Sequence, residues 1–321
     1  MEAKRIFALG MTLVLIVLVG AFLIGCPAEE TDEPEEIVKF AANEEFIVDQ
    51  KGLQTLEKEY GLEFDEVYEI AIGLTHEALR AGDVDAAIGF TTDGKIEELD
   101  LIVLEDDKQV FPANNPAPVF REQVLESYPH IESVLAEVTQ HLDNETKRQL
   151  NYQAAIEGNE PAEVARKWLL EEELITEEIK KPYEGKPVTI RSHEFTEHKI
   201  LRYILVYALT NAGIPVEDRK HMVGTETIRG ALLEGEIDAY WEYTGDAWRD
   251  IHLEDDTITD SDELYEKLTE KDIENELVWL DYAPINKTYT IMMDQERAEE
   301  LDITTISELA NWVEQVRSGE Y

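Results

Sequence analysis

The sequence predicts an α/β protein made of two domains with largely parallel β-sheets. Segments with strand and helix character alternate along most of the 321 residues, a pattern typical of sheets covered by helices. In addition, residues 78–92, ALRAGDVDAAIGFTT, align without a gap with residues 231–245, ALLEGEIDAYWEYTG. This repeat indicates two units that are built alike, and the chain is long enough for two such domains.

The predicted elements follow from hydrophobic periodicity and from residues that begin or end helices. Glycines at 82, 213 and 235 are expected to end helices, and Thr305 to open the last one as part of a capping box. The predicted strands are residues 37–41, 67–72, 86–89, 188–190, 237–240, 278–280 and 289–292. The predicted helices are residues 52–60, 75–81, 131–143, 147–152, 162–170, 196–212, 225–234 with Thr225 as cap, and one after each of Asp260 and Thr305.

Each copy of the repeat reads as a helix, a glycine stop, an acidic turn and a buried strand that ends in an aromatic residue followed by threonine. These pairs are Phe90-Thr91 and Tyr243-Thr244. Ligands of open α/β sheets bind outside the carboxyl ends of the strands. If the two units face one another, Phe90 and Tyr243 therefore lie on opposite sides of a ligand cleft. The alternative is that the repeat only reflects two helix–turn–strand units that pack in the same way.

The charge of the chain excludes some partners. With 72 acidic and 28 basic residues its net charge is −44, which repels nucleic acids and anionic lipid headgroups. Such a charge suits either a cationic ligand or life in strong salt, where screening relieves the self-repulsion. We favour the halophilic interpretation, because the acidic residues are spread along the whole chain rather than clustered.

The amino-terminal residues predict export. Residues 1–26 combine the basic start MEAKR with an apolar stretch that ends LIGC, and Cys26 is the only cysteine of the chain. The predicted signal peptide is residues 1–25. This pattern resembles the lipobox of bacterial lipoproteins, which implies a signal peptide that is cleaved before a lipid-carrying Cys26. The alternative is an uncleaved membrane anchor. Residues 26–36 are predicted to be an acidic, disordered tether, and a single cysteine allows no disulfide within the chain.

Several longer segments together resemble a known family, the substrate-binding proteins of osmoprotectant ABC transporters. They are KGLQTLEKEYGLEF at 51–64, LIVLEDDKQVFP at 101–112, LNYQAAIEGNEPAEVARKWL at 150–169, VTIRSHEFTEHKI at 188–200, VGTETIRGALLEGEIDAYWEYTG at 223–245, VWLDYAPINKTYTI at 278–291 and TISELANWV at 305–313. The resemblance implies a two-lobed, periplasmic-binding-protein-like (type II) fold with a ligand cleft between the lobes. It also implies an extracytoplasmic protein that captures glycine betaine, choline or a related quaternary amine by hinge closure, together with an ABC permease and its ATPase.

The segments occur in exchanged order compared with the family, so the chain resembles a circular permutant. Residues 171–187 then form a linker that joins the usual termini. One lobe is expected to comprise residues 37–114 and 283–321, and the other residues 115–282. New chain ends at exposed sites are tolerated by many domains. We expect a monomer; the alternative is a dimer in which two chains exchange their halves.

The resemblance assigns an aromatic cage for the ligand's cation, since a quaternary ammonium is held by the faces of aromatic rings. Tyr243 and Tyr289 fall on two cage tyrosine positions of the family, and Phe90 on a third. Asn114 occupies the fourth position, which leaves that side of the cage without a ring. The residues that could substitute are Tyr240, Trp241 and Trp248.

The same resemblance assigns the positions that bind a ligand carboxylate. Here they are His193, Asp49 and Asp246, with Thr244 as a further candidate beside the cage. Two acidic residues at these positions would repel a carboxylate, and a histidine is only partly charged near neutral pH. We therefore expect a ligand without a carboxylate, such as choline. One alternative is a diamine, whose second positive centre also suits the acidic positions. The others are glycine betaine and carnitine, because nearby Lys51 could restore the positive charge.

No feature of the sequence predicts an enzyme, a cofactor or a metal site. The chain lacks HExxH, GxSxG and a glycine-rich phosphate loop. Ser192, His193 and Glu194 are adjacent in sequence and so cannot act as a triad. His193 and His198 alone are too few ligands for a metal. A ligand-sensing lipoprotein without a transport partner remains the alternative function.

Overall fold

Two five-stranded β-sheets organise the protein, and helices cover both of them. The structure, a computed structural model, describes residues 37–48 and 51–320. The predicted signal peptide, the acidic tether with Cys26, and Asp49 lie outside the described residues. Within these ranges no helix is both long and apolar enough to cross a membrane.

The strands are short and most are separated by helices. They are β1 (Lys39–Ala42), β2 (Glu66–Glu69), β3 (Ala86–Phe90), β4 (Leu101–Val103), β5 (Pro116–Arg121), β6 (Val188–Ile190), β7 (Val216–Asp218), β8 (Ala239–Tyr243), β9 (Leu277–Trp279) and β10 (Tyr289–Asp294).

The helices of the first half are α1 (Glu44–Val48), α2 (Leu53–Thr55, continued by a π-helical turn Leu56–Tyr60), α3 (Ile72–Ala81), α4 (Lys95–Glu98), α5 (Glu122–Ser127), α6 (Ile131–Gln140), α7 (Asn144–Ala155) and α8 (Pro161–Glu171). The helices of the second half are α9 (Thr196–Asn211), α10 (Thr225–Leu233), α11 (Thr244–Asp246, continued by a π-helical turn Ala247–Ile251), α12 (Ser261–Ile273), α13 (Gln295–Leu301) and α14 (Ile306–Ser318).

Both sheets have the same topology. The first sheet has the strand order β2-β1-β3-β10-β4, and the second has the order β7-β6-β8-β5-β9. In each, the first three strands are parallel and the last two pairings are antiparallel. The predicted two-lobed α/β fold is confirmed, but the sheets are mixed rather than largely parallel. The cause is that the fourth strand of each sheet arrives from the other sheet and runs in the opposite direction.

The repeat seen in the sequence corresponds to equivalent helix–strand units. Helix α3 ends at Gly82, which has φ 72°, and β3 follows. Helix α10 is followed by Gly235, which has φ 74°, and then by β8. These left-handed conformations favour glycine, because other residues have a Cβ that clashes there.

Several local predictions hold and others need correction. Asp260 caps α12, and Thr305 opens α14 with the predicted capping box. Thr225 is not a cap, because Gly224 occupies that position and Thr225 is already helical. The strand predicted at 67–72 ends at Glu69, and the helix begins at Ile72 instead of residue 75. The strand predicted at 237–240 runs from 239 to 243.

The central strands β3 and β8 are buried on both faces of their sheets, because alternate residues of a strand point to opposite sides and nearly all residues of these two strands are buried. In β8, Trp241 and Tyr243 pack into the cluster beneath α9, while Tyr240 packs on the opposite side with β5 and α12. The predicted apolar face of α9 is confirmed. Its members Ile200, Ile204, Leu205, Ala208 and Leu209 are all buried.

Two segments of the chain pass from one sheet to the other and lie side by side. One joins β4 to β5, and the other joins β9 to β10. The Lys287 N–H donates to the Asn114 carbonyl (3.0 Å), and Asn114 Nδ2 donates to the Lys287 carbonyl (3.0 Å). Asn115 Nδ2 donates to the Ile285 carbonyl (2.7 Å). These bonds hold the two crossing connections, residues 113–115 and 283–288, next to each other.

Residues 172–187 form turns and bends that pack against the end of α9. The Tyr183 N–H donates to the Gly213 carbonyl (2.8 Å), and Tyr128 Oη donates to the Lys186 carbonyl (3.0 Å). This segment therefore lies along the second sheet's helices rather than between the sheets.

Candidate functional site

The two repeated segments end at corresponding places in the two sheets. Phe90 is the last residue of β3 and Tyr243 the last residue of β8. Each of these strands is third in the order of its sheet. The fold thus places one aromatic residue at the carboxyl end of each central strand, where α/β proteins bind ligands.

The threonines that follow attach both strand ends to the crossing connections. Thr91 Oγ1 donates to the Asn286 carbonyl (2.5 Å), and Thr244 Oγ1 accepts from the Asn115 N–H (2.9 Å). Thr244 is fully buried. Both threonines therefore position the aromatic residue before them relative to the segments that link the sheets.

Phe90 stacks on Tyr289 of the neighbouring strand. The register of β3 and β10 pairs the two residues, and their ring centroids lie 5.1 Å apart with the planes inclined by 16°. Phe46 packs edge-on against Tyr289, with centroids 5.2 Å apart. Phe90 and Tyr289 are both half-buried. The structure thus brings two of the predicted cage residues together on the first sheet.

Tyr243 is fully buried, and charged groups surround it. Its hydroxyl donates to Glu197 in the first turn of α9. The Lys287 ammonium lies over its ring, 4.9 Å from the centroid. The His198 ring packs edge-on against it at 5.3 Å. Burial, with Glu197 adding to the effect, raises the pKa of the Tyr243 hydroxyl well above its ordinary value.

Glu197 is the centre of a buried polar network. Its side chain is 13% exposed, and its Oε1 lies 3.9 Å from the Lys287 ammonium. Burial opposes its ionisation, but the ammonium groups of Lys147 and Lys287 outweigh that effect and lower the pKa of Glu197 to about 2. Burial lowers the pKa of Lys147, which is 0% exposed, to about 8. At neutral pH the network therefore holds one carboxylate between two cationic side chains.

Helix α7 connects this network to the first sheet. Asn151 Nδ2 donates both to Glu197 Oε2 (2.9 Å) and to the Thr92 carbonyl (2.8 Å). Arg148 Nη1 donates to the Thr91 carbonyl (3.3 Å). Tyr243 and the end of β3 are thus linked through Glu197 and one asparagine, although no direct contact between the Phe90 and Tyr243 rings is among the contacts of the described residues.

The two predicted carboxylate-binding residues that the structure describes, Asp246 and His193, are engaged within the protein. Asp246 Oδ1 accepts from Asn114 Nδ2 (3.3 Å) and lies 3.2 Å from Arg249 Nη2. Burial raises the pKa of Asp246, and Lys287 opposes that shift. His193 is buried, with Nε2 3.8 Å from Glu242 Oε2. Asp49, the third position, lies outside the described residues.

The aromatic residues considered as substitutes for the fourth ring have other roles. Tyr240 and Trp241 are buried in the two cores of the second sheet. Trp248 Nε1 donates to Asp256 (2.8 Å), and the Lys271 ammonium lies 5.3 Å from its ring centroid. Trp248 lines a cavity of about 490 Å³ together with residues of α12 and His252. Among the ring contacts of the described residues, none joins these three side chains to Phe90, Tyr289 or Tyr243.

Sequence reasoning missed Glu197, Lys147 and Lys287. A weak signal exists for Glu197, because it lies in the first turn of the helix that follows the carboxyl end of β6. Lys147 and Lys287 give no comparable signal, since 50 and 90 residues separate them from Glu197 in the chain.

Metal binding has no structural support in the described part of the chain. Within residues 37–48 and 51–320, no group of three or more histidine, cysteine, aspartate or glutamate side chains could hold a metal ion. The His193 and His198 rings lie 4.8 Å apart, and burial lowers the pKa of His198 to about 3.

Comparison with known proteins identifies the family. The family described as "Substrate binding domain of ABC-type glycine betaine transport system" matches residues 29–171 and 186–320. The chain is 33% identical over 149 residues to a glycine-betaine-binding protein of Pseudomonas aeruginosa, which covers 46% of this chain and 48% of that protein. It is 37% identical over 133 residues to the glycine betaine-binding protein YehZ of Escherichia coli K12, which covers 41% and 44%.

The names of other similar proteins mention related compounds. The carnitine transport binding protein OpuCC of Listeria monocytogenes is 30% identical over 118 residues, which covers 37% of this chain and 38% of that protein. A crystal structure described as a glycine betaine/carnitine/choline ABC transporter aligns with 30% identity and a TM-score of 0.39, covering 43% of this chain and 50% of the other.

Each of these three sequence matches spans less than half of the relative's length. The family match, in contrast, takes in both sheets and the greater part of the chain. Its members are substrate-binding domains, which agrees with the prediction that the protein is not an enzyme. The chain therefore belongs to the family of substrate-binding domains of ABC-type glycine betaine transport systems.

Proposed function

We propose that the protein is the extracytoplasmic solute-binding component of an ABC importer for a quaternary ammonium osmolyte. The ligand's cation is held in an aromatic cage formed by Phe90, Tyr289 and Tyr243. Closure of the two lobes about the crossing connections favours the form that a permease recognises. The partners are the small cationic ligand, the permease and its ATPase.

One observation carries this proposal. The Tyr243 ring already has a cationic group on its face, the Lys287 ammonium at 4.9 Å. The face of a tyrosine attracts cations through its quadrupole, and removal from water strengthens the attraction. A trimethylammonium group has the same charge and needs no hydrogen-bond partner, so the same face suits it.

The acidic residues around Tyr243 favour a ligand without a carboxylate. Glu197, Glu242 and Asp246 all act on the ionisation of Tyr243, and a second negative charge brought by the ligand would be repelled. We therefore rank choline above glycine betaine and carnitine. A diamine is the remaining alternative, because two ammonium groups also suit an acidic site.

The test is calorimetry with choline, glycine betaine, carnitine and a diamine on the wild-type protein and on Tyr243→Ala. We expect choline to bind most tightly and Tyr243→Ala to abolish binding, because the ring on the second sheet is lost. The matched control is Tyr183→Ala, which removes a half-exposed tyrosine of the 172–187 segment and should leave the affinity unchanged. Full affinity in Tyr243→Ala would disprove the cage.

We further propose that the chain is a circular permutant, with lobes formed by residues 37–114 plus 283–321 and by residues 115–282. The family match is interrupted at residues 172–185, within the segment that would join the usual termini. The start and the end of the described chain also meet. Asp65 Oδ2 accepts from the Val38 N–H (2.8 Å), and Asp65 Oδ1 lies 3.4 Å from Arg317 Nε.

We propose lipid attachment at Cys26 and a monomeric protein on the outer face of the cell membrane. The support is the lipobox-like pattern in the sequence. A Cys26→Ser variant is expected to lose incorporation of labelled fatty acid and to leave the membrane fraction. Incorporation that persists in the variant would exclude this site.

A further inference from the structure

Lys287 occupies the face of the ring that the proposed function assigns to the ligand. Its ammonium lies 4.9 Å from the centroid of Tyr243, and its backbone is fixed by the pair of hydrogen bonds with Asn114. The backbone of Lys287 is therefore held by the crossing connection, whereas only its flexible side chain reaches the ring.

The ring face cannot hold two cations. Tyr243 is 0% exposed, so its face is reached only after the group that covers it has moved. Two positive charges at van der Waals distance repel strongly in a site shielded from water. A ligand cation that binds to Tyr243 must therefore take the place of the Lys287 ammonium.

The ammonium of Lys287 is held loosely enough to leave. Its distance to Glu197 Oε1 is 3.9 Å, longer than a hydrogen bond. Its side chain is 26% exposed, so one route from the ring to water is short. A lysine side chain also has four rotatable methylene groups, which permits a large displacement of the ammonium without movement of the backbone.

Glu197 keeps a cationic partner when Lys287 leaves. The Lys147 ammonium is buried and donates to the Glu197 carbonyl (3.2 Å) and to Asn151 Oδ1 (3.3 Å). The Tyr243 hydroxyl also donates to the Glu197 carboxylate. The displacement therefore does not leave a buried carboxylate without compensation, which would cost several kcal/mol.

We propose that Lys287 is a resident cation of the aromatic cage and a specificity-determining residue, which the ligand's ammonium displaces when it binds. The inference rests on the proposed function, because it assumes a cationic ligand at Tyr243. Its consequence is that wild-type affinity for a simple cation is lower than the cage alone would give.

The experiment compares the affinity for choline of wild-type protein and Lys287→Met, measured by calorimetry. Methionine keeps an unbranched apolar side chain but carries no charge. We expect affinity for choline to rise roughly threefold to thirtyfold, the range that corresponds to one partly buried cation–π contact. The control is Lys95→Met, which removes a lysine with the same 26% side-chain exposure that pairs with Glu77; its affinity should stay at the wild-type value.

Each outcome has a separate meaning. Unchanged or weaker binding of choline by a folded Lys287→Met, with binding by the wild type, would overturn this inference and leave the proposed function intact. Loss of binding in Tyr243→Ala together with the gain in Lys287→Met supports both. Failure of both the wild type and Lys287→Met to bind choline or glycine betaine would overturn the proposed ligand class and the inference with it. Thermal melting of each variant confirms that it is folded.

Discussion

At the scale of single residues, the orientation of Tyr243 depends on a carboxylate that the chain keeps ionised in its interior. A buried carboxylate is costly unless positive charges and hydrogen bonds compensate it. Glu197 has both, in Lys147, Lys287 and the hydroxyl of Tyr243. The ring of Tyr243 is thus fixed at one end by Glu197, while the Lys287 ammonium lies over its face.

Glu197→Gln is expected to destabilise the protein in a pH-dependent way. The pKa of Glu197 is lowered from its ordinary value of 4.5 to about 2, so its contribution to the free energy of unfolding is complete above pH 4.5. That contribution is lost as pH falls from 4.5 toward 2, because the unfolded chain takes up a proton in this range and the folded protein does not. Linkage gives a difference between wild type and variant of about 3 kcal/mol at pH 6 and about 1 kcal/mol at pH 3.

The measurement is denaturant unfolding of both proteins at pH 6, 4 and 3. Glu132→Gln, which changes an exposed glutamate in the first turn of α6, should track the wild type at each pH. A stability difference for Glu197→Gln that stays constant across this range would show that the carboxylate has an ordinary pKa.

At the scale of elements, the sequence predicted those parts of the fold whose signal is local. The apolar periodicity of α9 and the capping box of α14 are such signals, and both were correct. Strand β5 escaped prediction because Pro116 and Pro118 argue against an interior strand. The structure accommodates them because both precede Val119, where the pairing with β9 begins, and their carbonyls still accept from the Ala283 and Leu280 N–H groups.

The candidate site also contains residues that a local sequence signal predicted and residues that it did not. The repeat predicted the aromatic–threonine pairs, and β3 and β8 do end at Phe90 and Tyr243. The position of the Lys287 ammonium over the Tyr243 ring could not be predicted, because Lys287 lies in a different strand connection, 44 residues away in the chain. Long-range contacts of this kind depend on how the sheets are assembled rather than on local periodicity.

Gly94→Ala is expected to weaken the contact between α4 and α7, and with it ligand binding. A Cβ at position 94 would lie 2.6 Å from the Tyr152 backbone N and 2.8 Å from its Cα. Backbone atoms cannot yield as a side chain can, so α4 must shift from α7, at a cost of about 1–3 kcal/mol. Because α7 also holds the end of β3 through Asn151, we expect reduced stability and lower affinity for choline.

Thermal melting and calorimetry measure both effects. Gly73→Ala is the matched control, because a Cβ there meets no atom within 4 Å and alanine favours the helix. An affinity and melting temperature equal to the wild type in Gly94→Ala would mean that α4 and α7 are not rigidly packed against each other.

At the scale of the whole molecule, the order of the two halves should be interchangeable. The proposed reordered chain runs from residue 186 to 320, continues through a short Gly/Ser linker into residue 37, and ends at residue 171. Val38 and Arg317 both contact Asp65, so the new connection spans a short distance.

The break removes residues 172–185, which form only turns and bends outside both sheets, and new ends at such sites are tolerated. We expect the reordered chain to be monomeric, to bind the same ligand with equal affinity, and to lose about 2–5 kcal/mol of stability because the deleted segment includes the buried Ile175. Size-exclusion chromatography, denaturant unfolding and calorimetry measure these three properties.

A chain opened inside β8, between Trp241 and Glu242, is the control and should not fold, because it breaks a strand paired on both sides. If the parent elutes as a dimer and only the reordered chain as a monomer, the halves are exchanged between two chains, and the permutation within one chain is wrong.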